Sequence, residues 1–350
     1  MLCLPNRELS RSWYGPQNAN APQLPKTMKA MQYSGYGDPS LLKMVEMELP
    51  RPATGQILVK VNAVAVNPID WKLHDGSLRY VLPVQFPSVP GFDLAGEVVA
   101  IGPGVNRFSN GDRIYACLPG RSGGACAEYA VVDAAVAAPM PPLLDCFQAA
   151  AIPLAASTAL QSLRDLGRIH AGQRLLIAGG SGGVGHFAIQ MGKAFGAHVT
   201  AVCSTRNVDR VTALGADQVI DYKKQSDFSS GEPYDVVLDC VVEQPFRLFR
   251  KVMKREAVYV AVLFPLRLLI QSVVLRLFSK QRIRFVICKA NGDDLALISK
   301  LVSEGKLQPL IDRVYPLDEL AAAHHFSQSG RARGKIVIDV ASDERKPGKG

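Results

Sequence analysis

The chain has 350 residues, 48% hydrophobic and 20% charged, which excludes a disordered or fibrous polymer and is enough for two domains with buried cores. Its net charge of +9 suits a polyanionic ligand, a nucleic acid or an anionic surface equally well. No sequence motif for reading RNA or DNA is present, so nucleic acid is set aside as a partner.

Residues 1–27 read as an extension, rich in proline and without apolar periodicity. Arg7, Ser10, Arg11 and Ser12 lean toward an organelle transit peptide, while Glu8 and the prolines lean against one. A cytoplasmic location is expected, with a mitochondrion or plastid as the alternative. Residues 28–150 are strand-rich. Met28–Tyr33, Gln56–Ala65 and Gly96–Ile101 are short β-type runs, and the turn-rich link Gly102–Asp112 leads into a strand from Arg113. Helical pattern begins near Ala149 and runs to Leu166.

From there strands and helices alternate through residues 151–300. The strands are Arg174–Ala178, His198–Ser204, Gln218–Asp221 and Asp235–Asp239, with helices starting at Val184 and Asn207. Such alternation predicts a parallel sheet covered by helices. Residues 301–343 follow, and a disordered tail is expected over 344–350. Cysteines stand singly at 3, 117, 126, 146, 203, 240 and 288. They offer neither a disulfide framework nor a C-x-x-C metal pattern, which fits a reducing compartment.

The run from Leu175 to Gly185 contains Gly180, Gly182 and Gly185 in G-x-G-x-x-G spacing, between a strand and a helix. Glycine is needed there for a tight turn, for close approach of backbone to a pyrophosphate, and for helix–strand packing. The helix N-terminus then offers free N–H groups to phosphate. The next strand ends Val202-Cys203-Ser204-Thr205-Arg206, with no carboxylate at its tip. A carboxylate there would bind a ribose 2′-OH and repel a 2′-phosphate. Ser204 and Arg206 would bind the phosphate, so NADPH is the expected cofactor.

Several motifs then occur in order. They are Val66-Asn67-Pro68-Ile69-Asp70-Trp71-Lys72, Pro90 through Val98, Gly111-Asp112-Arg113-Ile114, Gly124–Tyr129 and Ser157-Thr158-Ala159. After the glycine run come Leu214-Gly215-Ala216-Asp217, Ile220-Asp221-Tyr222 and Gly330 through Val337. Together they resemble the quinone oxidoreductase-like branch of the medium-chain dehydrogenase/reductases, over nearly all of residues 28–343. The resemblance implies an α/β protein: a GroES-like β domain, a Rossmann doubly wound parallel-sheet domain, and a last segment that returns to the first domain. By matching position it also implies cofactor contacts at Ser181, Gly183, Val184, Ser204 and Tyr222, which join Gly182 and Gly185 of the glycine motif and Arg206 of the strand tip. Thr158 and the stretch Ala332–Gly334, with Arg333, are further positions it suggests.

Zinc-bearing relatives place a Cys, a His-Glu pair and a second Cys where this chain has Asn67, Phe92-Asp93 and Leu154. Phe and Leu cannot ligate zinc, and an amide is a poor ligand. The structural zinc lobe's four clustered cysteines are missing too, so no metal is expected. Without a metal to hold an alkoxide, an already activated acceptor is favoured, a quinone or an α,β-unsaturated carbonyl. Lys72 and Asn67 are the polar residues expected near the nicotinamide, each with an ordinary surface or turn role as the alternative.

Residues 264–289 mix Leu, Ile, Val and Phe with Arg267, Arg276, Lys280, Arg282 and Arg284. The arginines rule out a membrane span. The segment is expected to cover the Rossmann domain or form a homodimer contact, with a basic amphipathic helix on a membrane surface as the alternative. The function expected is reduction of a quinone or enone by hydride transfer. The rival is a cofactor-binding scaffold or membrane-surface protein with little turnover.

Overall fold

The structure, a computed structural model, describes residues 24–120, 123–225, 227–229 and 231–341. Residues 1–23 of the expected extension, and the expected tail 344–350, lie outside the described residues. Two large sheets dominate.

The first sheet has seven strands, in the order Ile311–Pro316, Lys335–Asp339, Gln56–Val66, Asp93–Ile101, Arg113–Cys117 and Ala137–Pro139, with Tyr129–Asp133 pairing the other half of Gln56–Val66. Gln56–Val66 is its spine. Ile57, Val59, Val61, Val64 and Val66 are β-branched and buried, which suits a strand covered on both faces. One face packs on Met31, Tyr33, Leu94 and Ile338. The other presents Ala63 and Ala65, which join Ala95 and Tyr115 in the same core as Leu160, Ile177 and Phe187 of the second unit. Small side chains at this junction let the two units share one hydrophobic core. Tyr115 locks it by donating its hydroxyl to the carbonyl of Leu295 at 2.6 Å.

The second sheet has six strands, all parallel, in the spatial order Gln218–Asp221, His198–Cys203, Arg174–Ala178, Tyr234–Asp239, Met253–Ala261 and Arg282–Phe285. Numbered along the chain this is 3-2-1-4-5-6, the Rossmann arrangement, whose direction reverses beside Arg174–Ala178. The fold is thus α/β, with a GroES-like sheet and a doubly wound parallel sheet. The last strand, Lys335–Asp339, pairs antiparallel with Gln56–Val66, with Ile336 opposite Val66.

Two expectations need correction. The helix expected over Ala149–Leu166 begins earlier, at Cys146, and breaks after Ala150; a second helix runs over Pro153–Gln161 and continues as a π-type turn over Ser162–Gly167. Pro153 is the cause, because it has no N–H to continue the first helix and fits the first turn of the second. The segment 264–289 is not one element. A helix spans Leu266–Phe278, and Arg282–Phe285 is the edge strand of the Rossmann sheet. Arg284 is spent on the carbonyl of Leu166 at 3.1 Å. The helix covers the sheet through Leu268 and Leu275, each worth about 1.5–3 kcal/mol when buried. Its other face leaves Leu266, Ile270, Val273, Val274, Leu277 and Phe278 exposed, Phe278 by 83%. No helix among the described residues is long and apolar enough to cross a membrane.

Candidate active site

Arg174–Ala178 ends at the switch point, and the chain turns at once. Gly179 takes a φ of 82°, and the N–H groups of Gly179 and Gly180 both bond to the carbonyl of Val202 at 3.1 and 3.0 Å. The helix Gly185–Ala194 follows. A Cβ at Gly185 would sit 2.1 Å from the Gly179 carbonyl oxygen, so only glycine lets the helix start there. At Gly182 a Cβ would meet nothing closer than 3.4 Å, which leaves the mouth of the turn open. His186 staples the turn from beneath. Its Nδ1 bonds to the Gly182 carbonyl at 2.9 Å, and its Nε2 accepts the Leu310 N–H at 3.2 Å. Nδ1 therefore carries the proton. Burial pushes its pKa down to about 4, so the ring stays neutral.

The turn and the neighbouring strand tip are joined by Asn207, which sequence reading passed over. Its Nδ2 donates to Ser181 Oγ at 2.9 Å and to Ser204 Oγ at 3.2 Å. Its Oδ1 is buried with no partner among the described residues. An orphaned acceptor on the amide that bridges these two serines, beside an open glycine turn, fits a dinucleotide whose ribose hydroxyl would satisfy it. Outside this line lie cationic side chains. Arg206 is exposed and, among the described residues, held only by the Arg331 carbonyl at 3.5 Å, so its guanidinium has donors to spare. Arg210 ties its helix to the Arg333 carbonyl at 2.7 Å. Arg333 is anchored by Asp312, at 2.9 Å from its N–H and 3.7 Å from its guanidinium. Tyr222 is 47% exposed and stacks under the Lys223 ammonium. The adjacent carboxylate of Asp221 is tied to the Thr205 hydroxyl at 2.7 Å and the Lys223 N–H at 3.0 Å. The structure thus gathers Ser181, Ser204, Arg206 and Tyr222 at one end of the turn.

At the other end the polar groups are buried. Asp93 opens its strand and faces the N-terminus of Pro153–Gln161. Its Oδ1 accepts the Leu154 N–H at 2.8 Å and its Oδ2 the Asn67 amide at 2.9 Å. The Lys335 ammonium, 3% exposed, donates to Asn67 Oδ1 at 2.5 Å and lies 3.4 Å from Asp93 Oδ2. Asp70 accepts the Asn67 N–H at 2.6 Å; burial, with Asp93 adding to it, pushes its pKa up to about 8. Burial raises Asp93 as well, against the pull of Lys335, Asn67 and Leu154. Thr158 belongs to this inner group, with its hydroxyl given to the Leu154 carbonyl at 2.7 Å. Lys335 passes under the glycine turn on its way in, since a Cβ at Gly183 would lie 3.4 Å from its Cδ.

Comparison with known proteins agrees with this architecture. Residues 53–142 match the alcohol dehydrogenase GroES-like domain, and residues 214–338 match a family described as zinc-binding dehydrogenase. A chloroplastic quinone-oxidoreductase homolog of Spinacia oleracea is 40% identical over 90% of this chain and 99% of its own length. The chain belongs to the quinone oxidoreductase-like branch of the medium-chain dehydrogenase/reductases. The chloroplastic NADPH-dependent alkenal/one oxidoreductase of Arabidopsis thaliana is 34% identical over 90% of this chain and 80% of its own. The solved structure of a quinone oxidoreductase from Coxiella burnetii superposes with a TM-score of 0.83 at 34% identity, covering 90% of this chain and 100% of that one.

Against that family pattern, the positions that hold zinc in other branches carry Asn67, Phe92 and Leu154, whose side chains form no metal donor set. No cluster of three His, Cys, Asp or Glu residues that could hold a metal occurs among the described residues. Cys288 lies nearby, but burial pushes its thiol up to about 12, which keeps it protonated and a poor ligand. Of the two residues expected at the nicotinamide, Asn67 is here, with both amide N–H groups and its oxygen already bonded, to Asp93, Ala65 and Lys335. Lys72 is set apart. It lies on the helix Pro68–His74, half-buried, with its ammonium 5.4 Å from the Trp71 ring centroid and no ion-pair partner among the described residues. Sequence reading missed Lys335 and Asp93 as site residues, although both stand inside quoted motifs. The signal was a charged residue at the buried end of a strand.

Proposed function

We propose that this protein reduces quinones and α,β-unsaturated carbonyls with NADPH, without a metal. The observation that carries the reading is the open glycine turn with exposed cationic side chains and a carboxylate-free strand tip at one end and a buried ammonium at the other. Relatives named as quinone and alkenal/one oxidoreductases support the substrate class. In this reading Gly182, Gly183, Val184 and Gly185 hold the pyrophosphate, while Ser181, Ser204, Arg206, Tyr222 and Arg333 hold the adenosine 2′-phosphate region. Bound NADPH supplies the hydride. The shared core and the network around Asn67 exclude water from the far end of the cleft, where Thr158 lies. NADPH consumption in the presence of a panel of quinones and enones, followed by absorbance, tests the assignment. Turnover with neither class would sink it.

The outward apolar face of Leu266–Phe278 supports the expected homodimer. Sedimentation equilibrium at micromolar concentration checks this, and a monomer there would discard that contact.

A further inference from the structure

We propose that Lys335 supplies the positive charge of this active site, stabilising the oxygen anion formed on the reduced substrate and giving that oxygen its proton. The inference rests on the functional reading above and goes further, to one residue and one atom.

The placement comes from three constraints. The Lys335 N–H is bonded to the Leu310 carbonyl at 2.7 Å, and Gly334 before it permits that approach, since a Cβ there would lie 2.4 Å from the same oxygen. Ile336 pairs with Val66, which puts Lys335 across from Asn67. The stem runs past Gly183, so the ammonium ends between the nucleotide turn and Asp93. It occupies the ground enclosed by Asn67, Asp93 and Leu154.

The charge is incompletely spent. Asp93 gives its two oxygens to neutral donors at 2.8 and 2.9 Å, and leaves Lys335 at 3.4 Å. The ammonium's short bond goes to an amide oxygen, which carries no net charge. Asp70, held largely protonated at neutral pH, adds little compensating negative charge. A third N–H of Lys335 has no partner among the described residues. A cation so placed and held in a dry site interacts far more strongly with a developing anion than it would in water, without reorganising.

The step balances as follows. The substrate gains hydride at the β-carbon and its π electron pair moves to oxygen, giving an enolate; a quinone gives the enolate of its dihydro dione, which becomes hydroquinone by tautomerisation once that oxygen is protonated. An Nζ–H bond of Lys335 breaks as the O–H bond forms, leaving a neutral amine. Solvent returns the proton when product leaves, and the enol formed from an enone tautomerises to the saturated ketone.

The test uses a phenol probe as well as turnover. In wild type loaded with NADP+, 4-nitrophenol should bind as its coloured phenolate at a pH at least about one unit below that of the free probe. Lys335→Met alone would strand the buried Asp93 carboxylate, so the decisive variant is Lys335→Met with Asp93→Asn, its folding checked by thermal melting. There the phenolate shift should vanish and kcat should fall by about 10²-fold. Asp93→Asn by itself keeps the ammonium and should keep or deepen the shift, an outcome that simple disruption of the network would not give. A double variant with an undiminished phenolate shift or a wild-type kcat overturns the proposal. If wild type reduces no quinone or enone, the functional reading fails, and the phenolate titration still decides whether Lys335 holds an oxygen anion.

Discussion

The two ends of the candidate cleft are built on opposite principles. At the adenosine end, Arg206 and Tyr222 are exposed, loosely held and contributed by chain segments within about fifty residues of the glycine turn. At the inner end, Asn67, Asp93, Leu154 and Lys335 come from four distant segments and are already bonded to one another. The outer end has donors to spare, which suits a ligand that arrives with its own charge and must leave again. The inner end is prearranged, which suits stabilising a charge that exists only briefly. Recognition can be written locally, whereas preorganisation needs the whole fold.

The sharpest way to break this contrast is at the turn between the two ends. Gly185→Ala puts a methyl group 2.1 Å from the Gly179 carbonyl oxygen. Stability should drop by about 1–3 kcal/mol, as for other overpacked sites. NADPH affinity should fall by roughly 10²-fold, which corresponds to about 2.7 kcal/mol. Fluorescence titration and thermal melting check both figures.

At the outer end, Arg206→Ala should weaken NADPH binding about tenfold, or about 1.4 kcal/mol, and leave NADH binding unchanged. Parallel titrations with the two cofactors settle it. Equal losses for both would mean that Arg206 does not read the 2′-phosphate.

The inner end should show itself in the pH dependence of stability. Asp70 is an ordinary carboxyl when unfolded and titrates near about 8 when folded. Its raised folded value contributes stability at low pH that is lost as pH rises toward 8, with a limiting slope of about 1.4 kcal/mol per unit. Asp70→Asn should flatten denaturant midpoints between pH 6.5 and 8. Below about pH 6.5 the sign reverses for two buried histidines outside the inner end, His186 beneath the glycine turn and His324 on the helix Leu320–Gln328, whose folded values are pushed by burial down to about 4 and about 3. Their unfolded forms take up protons first, so this contribution is lost as pH falls from 6.5 toward 4.

The smallest effect is expected at Lys72. Half-buried over Trp71 and without an ion-pair partner among the described residues, it should lose less than about threefold in kcat as Lys72→Met, far below the range for a lost electrostatic group. A drop of about 10²-fold would restore it as the active cation in place of Lys335.

The same contrast explains what the sequence disclosed. The glycine turn, the acid-free strand tip and Arg206 were legible because a few neighbouring residues determine each of them. The helix break at Pro153 follows from local chemistry too, but its purpose does not: it frees the Leu154 N–H for Asp93, sixty-one residues earlier in the chain. Lys72 drew attention as a charge near Asn67 in sequence. The residue that meets Asn67 in space is Lys335, brought there by strand pairing across 268 positions. Asn207 was hidden for a milder reason, since nothing in Arg206-Asn207-Val208 says that the amide turns inward to bridge two serines.

The return of Lys335–Asp339 to the middle of the first sheet also shapes how the chain can assemble. Gln56–Val66 emerges early in synthesis, yet the strand that covers the start of the Asn67 end of it arrives only after the entire Rossmann unit has been made. During that interval the apolar Ala63–Val66 edge stands open, while Tyr129–Asp133 already covers Gln56–Lys60, and such an edge can recruit stray strands from other chains. The Rossmann unit, whose six strands pair within one continuous stretch, has no such wait. Closure of the first sheet is therefore a late event of high contact order, and the interval before it is when nascent copies are most exposed to aggregation.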